Sequence, residues 1–227
     1  MSGDRTSSDR DKRSDGEAAP PSDRARLRRK PMRGRYDRAT IDAILDEAII
    51  GHVAWVYEGM PYATPTNVWR HGDRLYWHAS AGSRMVRTID GQPASVTVTH
   101  LDGLVLARSA TNHSVNYRSV IVQGTAHVVP DGEYAAQALE HFIEHLYPGR
   151  WAELRPMTEK ERKATSVMWI DMTEASAKMR AEGPHDDEGD ETWPSWAGAV
   201  PITMVRGEPE PDEFVPDGMP AAKVRLP

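Results

Sequence analysis

From Tyr36 onward, apolar residues recur with two alternating periods. In 39–48 (ATIDAILDEA), Ile41, Ile44 and Leu45 fall at helical spacing, which predicts a short amphipathic helix. Residues 49–58 (IIGHVAWVYE) are β-branched and aromatic and read as a first strand. Gly59 turns the chain, and 61–69 returns as a second strand in which Pro65 marks an edge or a bulge. His71-Gly72-Asp73 is the next turn, followed by the strand RLYWHA at 74–79. Residues 83–90 predict a helix with Met85, Val86 and Ile89 facing inward. The β pattern resumes at 94–100 and 103–106 and continues in a long strand at 117–129, where Gly124 marks a bulge or bend. A second amphipathic helix is expected at 133–146, a short one at 159–165 and a last core strand at 167–172.

Strands joined this closely do not form parallel βαβ units. Six or seven of them close most simply into a small antiparallel barrel, mainly β, with Greek-key-like connections and helices at its margins. Residues 1–33 are polar, with a basic stretch at 24–30, and read as a disordered tail. The folded domain is expected over 34–205, and 206–227, rich in Pro, Glu and Asp, as an irregular tail.

Composition narrows the chemistry. The 227 residues fit one domain with tails, or at most two small ones, and the 39% hydrophobic share suffices for a single core. A net charge of −6 argues against nucleic acid as a partner. There is no cysteine, so disulfides, thiolate metal sites and Cys nucleophiles are excluded. That usage fits the cytoplasm. No apolar run approaches the roughly 18–20 residues of a membrane span, and no hydrophobic signal core is seen near the N-terminus.

The chain contains no GxSxG, GxGxxG or GxxxxGK[ST], so hydrolase elbows, Rossmann sites and P-loops lose support. His141 and His145 stand four apart in HFIEH, but the glutamate is misplaced for HExxH, and no metal site is assigned. The acidic run 185–191 (HDDEGDE) lacks EF-hand spacing and reads as a solvated loop. The polar segment 112–119 reads as a self-satisfied loop, or as one that gives Arg118 or Ser119 to a ligand or an interface. Trp193 and Trp196, in an irregular stretch, cover either an apolar surface or a planar ring. The densest chemistry lies in 60–87. There Thr64, Thr66 and Asn67 approach the turn Ser80–Ser83, the start of a helix, and Arg84. Hydroxyls, free N–H groups and a guanidinium suit a phosphate. His78 is open between a satisfied core histidine and a ligand contact.

Three segments carry a family resemblance: 49–89 (IIGHVAW…SRMVRTI), 94–129 (ASVTVTH…GTAHVV) and 164–202 (ATSVMWIDMTEASAKM…WAGAVPI). Over 33–202 the chain resembles the pyridoxamine 5′-phosphate oxidase-like split barrels, in the flavin-nucleotide-binding branch related to nitroimidazole-resistance proteins. The resemblance implies a six-stranded split barrel that forms a homodimer, with FMN in the groove between the subunits. It implies that His78, Ser80, Ser83 and Arg84 hold the flavin phosphate, and that Thr64, Thr66 and Asn67 border the ring. Thr97 and Thr99 are further candidates, and Arg118, Lys178, Trp193 and Trp196 would complete the groove, in part from the other subunit. The basic residues that true pyridoxamine phosphate oxidases carry near their C-terminus for a substrate phosphate are not found here. The expected function is FMN-dependent electron or hydride transfer with a small-molecule substrate. The alternatives are a non-catalytic flavin carrier or sensor, or a split barrel that takes FAD, deazaflavin F420 or haem.

Overall fold

The computed structural model describes residues 18–130 and 132–225. Helix α1 (Arg38–Asp46) starts where the Asp37 carboxylate accepts the Thr40 N–H, and buries Ile41, Ile44 and Leu45, the residues its period selects. The strands β2 (Ile50–Tyr57), β3 (Met60–His71) and β4 (Arg74–Ser80) form an antiparallel meander. A turn then leads into α2 (Arg84–Ile89), whose N-cap is the Ser83 hydroxyl. Next come β5 (Pro93–Leu106) and β6 (Ser114–Val128), then α3 (Glu133–Leu146) and α4 (Glu159–Ala164). The last strands are β7 (Thr165–Asp171), β8 (Glu174–Arg180) and β9 (Gly198–Pro201).

Six strands close a ring in the order β5–β2–β3–β4–β7–β6, and β6 pairs back to β5. The long β6 makes the closure. It pairs with β8 as far as Gln123 and with β7 from Ala126 on. Gly124 sits at this changeover, where a Cβ would stand 3.3 Å from Ile170 Cγ1. The register runs through Gly124 without the expected bulge, and the shift within β5–β6 falls between Leu101 and Gly103. Pro65 pairs only toward β2, because β4 joins β3 from Val68 onward, so it occupies a free edge as its missing N–H requires.

Three strands go beyond the sequence pattern: β8, β9 and the two-residue β1 (Gly34–Arg35), which pairs with β8. The described part of the N-terminal segment is also attached. Ala25 is buried, the Leu27 N–H donates to the Tyr36 hydroxyl, and Arg33 pairs with Glu182. The body therefore takes in residues assigned to the tail; residues 1–17 lie outside the described part. Beyond Pro201 there is no helix or strand among the described residues.

Two cores result. Val53, Val68, Leu75, Trp77, Val96, Val120 and Ile170 fill the barrel, joined by α1 and by Met85 and Ile89 of α2. A second cluster lies outside the wall, where α3 covers Trp69, Tyr76, Val167 and Trp169 with Ala138, Leu139 and Phe142.

Candidate functional site

Strand alternation puts Trp55 and Tyr57 on one face of β2, opposite Tyr62 and Thr64 of β3. The Trp55 and Tyr62 rings stack with centroids 4.9 Å apart, and the Trp55 indole donates to Thr64 Oγ1 at 3.2 Å. Arg84, the first residue of α2, reaches this cluster. It donates to the Tyr62 hydroxyl at 2.9 Å, and its guanidinium carbon lies 5.0 Å from the Tyr57 ring centroid. Arg84 is exposed and forms no ion pair with any described residue. A cation held over aromatic faces without a carboxylate partner suits an incoming anion. The Thr66 hydroxyl donates to the His78 carbonyl, tying β3 to β4 beside the turn. Ser80 is exposed, and Ser83 spends its hydroxyl on the α2 cap.

The remaining candidates divide over other surfaces. Thr97 and Thr99 lie in register with Ile121 and Ser119 of β6, which in turn oppose Ser176 and Lys178 of β8. These side chains share the outward face of the sheet with Ile50, His52 and Asn67. Lys178 is half-buried there without an ion pair among the described residues, and Asn67 donates to the Ile49 carbonyl. Arg118 is committed elsewhere. Its guanidinium binds Asp102 with two nitrogens and Glu47 with the third, and these contacts raise its pKa, the Asp102 hydrogen bonds most strongly. Trp193 and Trp196 are 66% and 64% exposed.

His78 faces away from Arg84. Alternation along β4 turns Leu75 and Trp77 into the barrel and Tyr76 and His78 out toward α3. Its ring lies 5.0 Å from that of Phe142 and 6.1 Å from that of Trp69. Burial lowers its pKa and favours the neutral imidazole. Neither His78 Nδ1 nor Trp69 Nε1, both buried, has a hydrogen-bond partner among the described residues. Nearby, a cavity of about 280 Å³ opens between α3 and α4, lined by Gly132, Ala135, Ala136, Leu139, Met157, Glu159, Arg162, Lys163 and Thr165.

The aromatic wall of Trp55, Tyr57 and Tyr62 escaped the sequence reading, although its i, i+2 spacing on β2 signals a shared face. So did the contact between His71 and His141, whose rings stack at 3.5 Å. His141 thus meets β3 rather than joining His145 around a metal, and no group of three or more His, Cys, Asp or Glu that could hold a metal ion occurs among the described residues.

Residues 37–179 match the family model described as pyridoxamine 5′-phosphate oxidase. The chain belongs to this family. Its barrel is the family's six-stranded split barrel. Among solved structures it resembles the flavocytochrome Anf3 from Azotobacter vinelandii, with 42% identity over 92% of this chain and 99% of that one, at a TM-score of 0.86. It also resembles an FAD and haem binding protein from Mycobacterium smegmatis, with 36% identity over 83% and 93% of the two chains and a TM-score of 0.78. A 5-nitroimidazole antibiotic resistance protein from Bacteroides thetaiotaomicron shares the fold at 19% identity, over 64% and 85%, with a TM-score of 0.53. No match was found among curated proteins. No helix among the described residues is long and apolar enough to cross a membrane.

Proposed function

We propose that this protein is a flavin- and haem-binding oxidoreductase that works as a homodimer and passes electrons between a small molecule and its cofactors. The observation that carries this reading is the 42% identity to a flavocytochrome over nearly the whole of both chains. FAD is favoured over FMN, because a second close structure, at 36% identity, is an FAD and haem binding protein.

The barrel mouth supports the flavin part. Arg84 offers an uncommitted guanidinium to a phosphate, Ser80 an exposed hydroxyl, and Trp55, Tyr57 and Tyr62 a flat wall for a ring. Thr64 and Thr66 lie on that side of β3, and Thr97, Thr99, Asn67 and Lys178 on the outward face. A second copy seated on the outward face would bring the two sets into one groove. When bound, the flavin supplies the hydride and electron chemistry, and the protein's task is to position it and tune its potential.

The cluster under α3 supports the haem part by its donor chemistry. His78 is a neutral imidazole with an unpartnered buried nitrogen, the form that ligates iron. Trp69 and Phe142 give apolar walls, and Arg162 offers a cation to a carboxylate side group, whereas Lys163 is paired with Glu159. The cavity of about 280 Å³ is below the roughly 300–1,000 Å³ of ligand pockets and is lined by none of His78, Trp69 and Phe142, so a macrocycle ligated by His78 requires α3 to move.

The test is the absorbance spectrum and the mass of what copurifies with the full chain. Flavin bands together with a Soret band are expected, and the Soret band should disappear in His78→Ala while the flavin bands remain. A colourless protein that takes up neither FMN nor FAD overturns the flavin part; flavin without haem after reconstitution overturns the haem part. Reduction by NAD(P)H followed by reoxidation by an acceptor separates turnover from a carrier or sensor role.

A further inference from the structure

Residues 202–225 leave the body after β9 as an arch held at its two ends. The Ile202 N–H donates to the Asp102 carbonyl, and the Arg225 N–H to the Leu146 carbonyl. Between these points the only backbone hydrogen bonds among the described residues close local turns, Val215 to Asp212 and Met219 to Pro216. Met219 to Lys223 line a cleft against Pro148, Gly149, Arg150 and Glu153, so the second anchor is the connection that follows α3. Pro209, Pro211, Pro216 and Pro220 restrict the backbone of the stretch and lower the entropy lost on docking it.

The arch carries large apolar side chains that touch little of their own body. Val205 is 80% exposed, Phe214 81% and Met204 63%. It begins beside a second exposed apolar surface. Val200 on β9 opposes Leu104 on β5, both exposed, and the outward sheet face continues through Leu101, Ile121, Ile50 and Val56. Each of these nine residues is at least 41% exposed, so apolar side chains stand open to solvent both on the arm and along the sheet face where it begins. Exposed apolar surface that runs on from one element to the next marks an association site.

We propose that residues 202–225 form an arm that closes over a second copy of this chain, with Met204, Val205 and Phe214 packed on the partner's body. This rests on the homodimer reading above and goes beyond it, because the arm is assigned to the interface along with the sheet face. In a two-fold dimer the contact is made twice, so each arm clasps the copy that clasps it. An arm held at both ends resists release, since both anchors must yield before the partner can leave.

Because the chain has no cysteine, Val205→Cys or Phe214→Cys accepts a single maleimide-benzophenone probe. Photocrosslinking in mixtures of isotopically light and heavy full-length protein then separates contacts between copies from contacts within one. Light–heavy crosslinked pairs are expected. Sedimentation of Met204→Asp/Val205→Asp/Phe214→Asp should show a dimer dissociation constant raised at least tenfold, with the far-UV circular dichroism of the fold unchanged. A chain that is monomeric throughout overturns the homodimer reading and the arm with it. A dimer whose probes crosslink only within their own chain, or only to an unrelated protein, overturns the arm alone. So does a dimer whose dissociation constant the triple substitution leaves unchanged.

Discussion

The barrel mouth and the layer beneath α3 are both aromatic clusters on the same barrel wall, but their polar groups stand in opposite situations. At the mouth, the polar group is an exposed guanidinium backed by Tyr57 and Tyr62, open to solvent and without a carboxylate among the described residues. Beneath α3, the polar groups are one imidazole nitrogen and one indole N–H, buried and unpartnered. A hydrated cation costs the fold little and waits for an anion. A buried donor without an acceptor costs about 1–3 kcal/mol. On the proposed reading the mouth receives an anionic, removable ligand, and the covered layer a neutral contact within an apolar space.

The largest effect expected from this difference is on stability. Trp69→Ala should lose about 3–5 kcal/mol, because Trp69 is fully buried between sheet and helix. Denaturant unfolding measures it, and a loss below about 1 kcal/mol would mean that α3 does not form a second core. At the mouth, Arg84→Ala should leave the unfolding midpoint in place but weaken flavin binding by about 1.5–3 kcal/mol, the worth of one charged hydrogen bond. Fluorescence titration with FAD and FMN reads this, and unchanged affinity would remove Arg84 from the site. His78→Phe should change stability by under about 1.5 kcal/mol in either direction, since it exchanges an unsatisfied polar ring for an apolar one of similar size. A loss as large as that of Trp69→Ala would show that His78 has a partner in the native state.

The smallest effect lies at the margin between the two regions, where His71 stacks on His141. Burial, then the neighbouring His141, then Arg70 lower the His71 pKa from 6.5. A lowered folded value means that the unfolded chain binds the proton more readily. The His71 contribution is therefore intact above pH 6.5 and is lost as the pH falls below it. NMR titration of the imidazole signals should give His71 a value under 6.5, partly restored in His141→Ala. A normal value in the parent chain would dissolve the stacked pair.

Much of the frame could be read before any coordinates. The spacing of Ile41, Ile44 and Leu45 located α1, and the amphipathic pattern of 133–146 matches α3 to the residue. Thr64, Thr66 and Arg84 do come to one side of β3, as their place around a tight meander suggested. β8 escaped notice because its sequence, EASAKMR, is rich in alanine and has no β-branched or aromatic residue. Ala175 and Ala177 are small because they are fully buried in a barrel already filled by Trp77 and Ile170. His78 was grouped with the phosphate turn because it is close in sequence, yet the pleat turns it to the opposite cluster.

Local rules determined what local physics can carry: the period of each element, the turns at Gly59 and Gly72, and the cap at Ser83. They also set the chemistry on offer, an arginine after a serine turn in a chain without cysteine. Only the tertiary structure decided which face of each strand looks at what. A strand presents two faces whatever its sequence, and the partner for each comes from residues far away along the chain. α3 makes His78 a buried imidazole, Asp102 and Glu47 engage Arg118, and the packing of α2 against β2 brings Arg84 to the Tyr57 and Tyr62 rings.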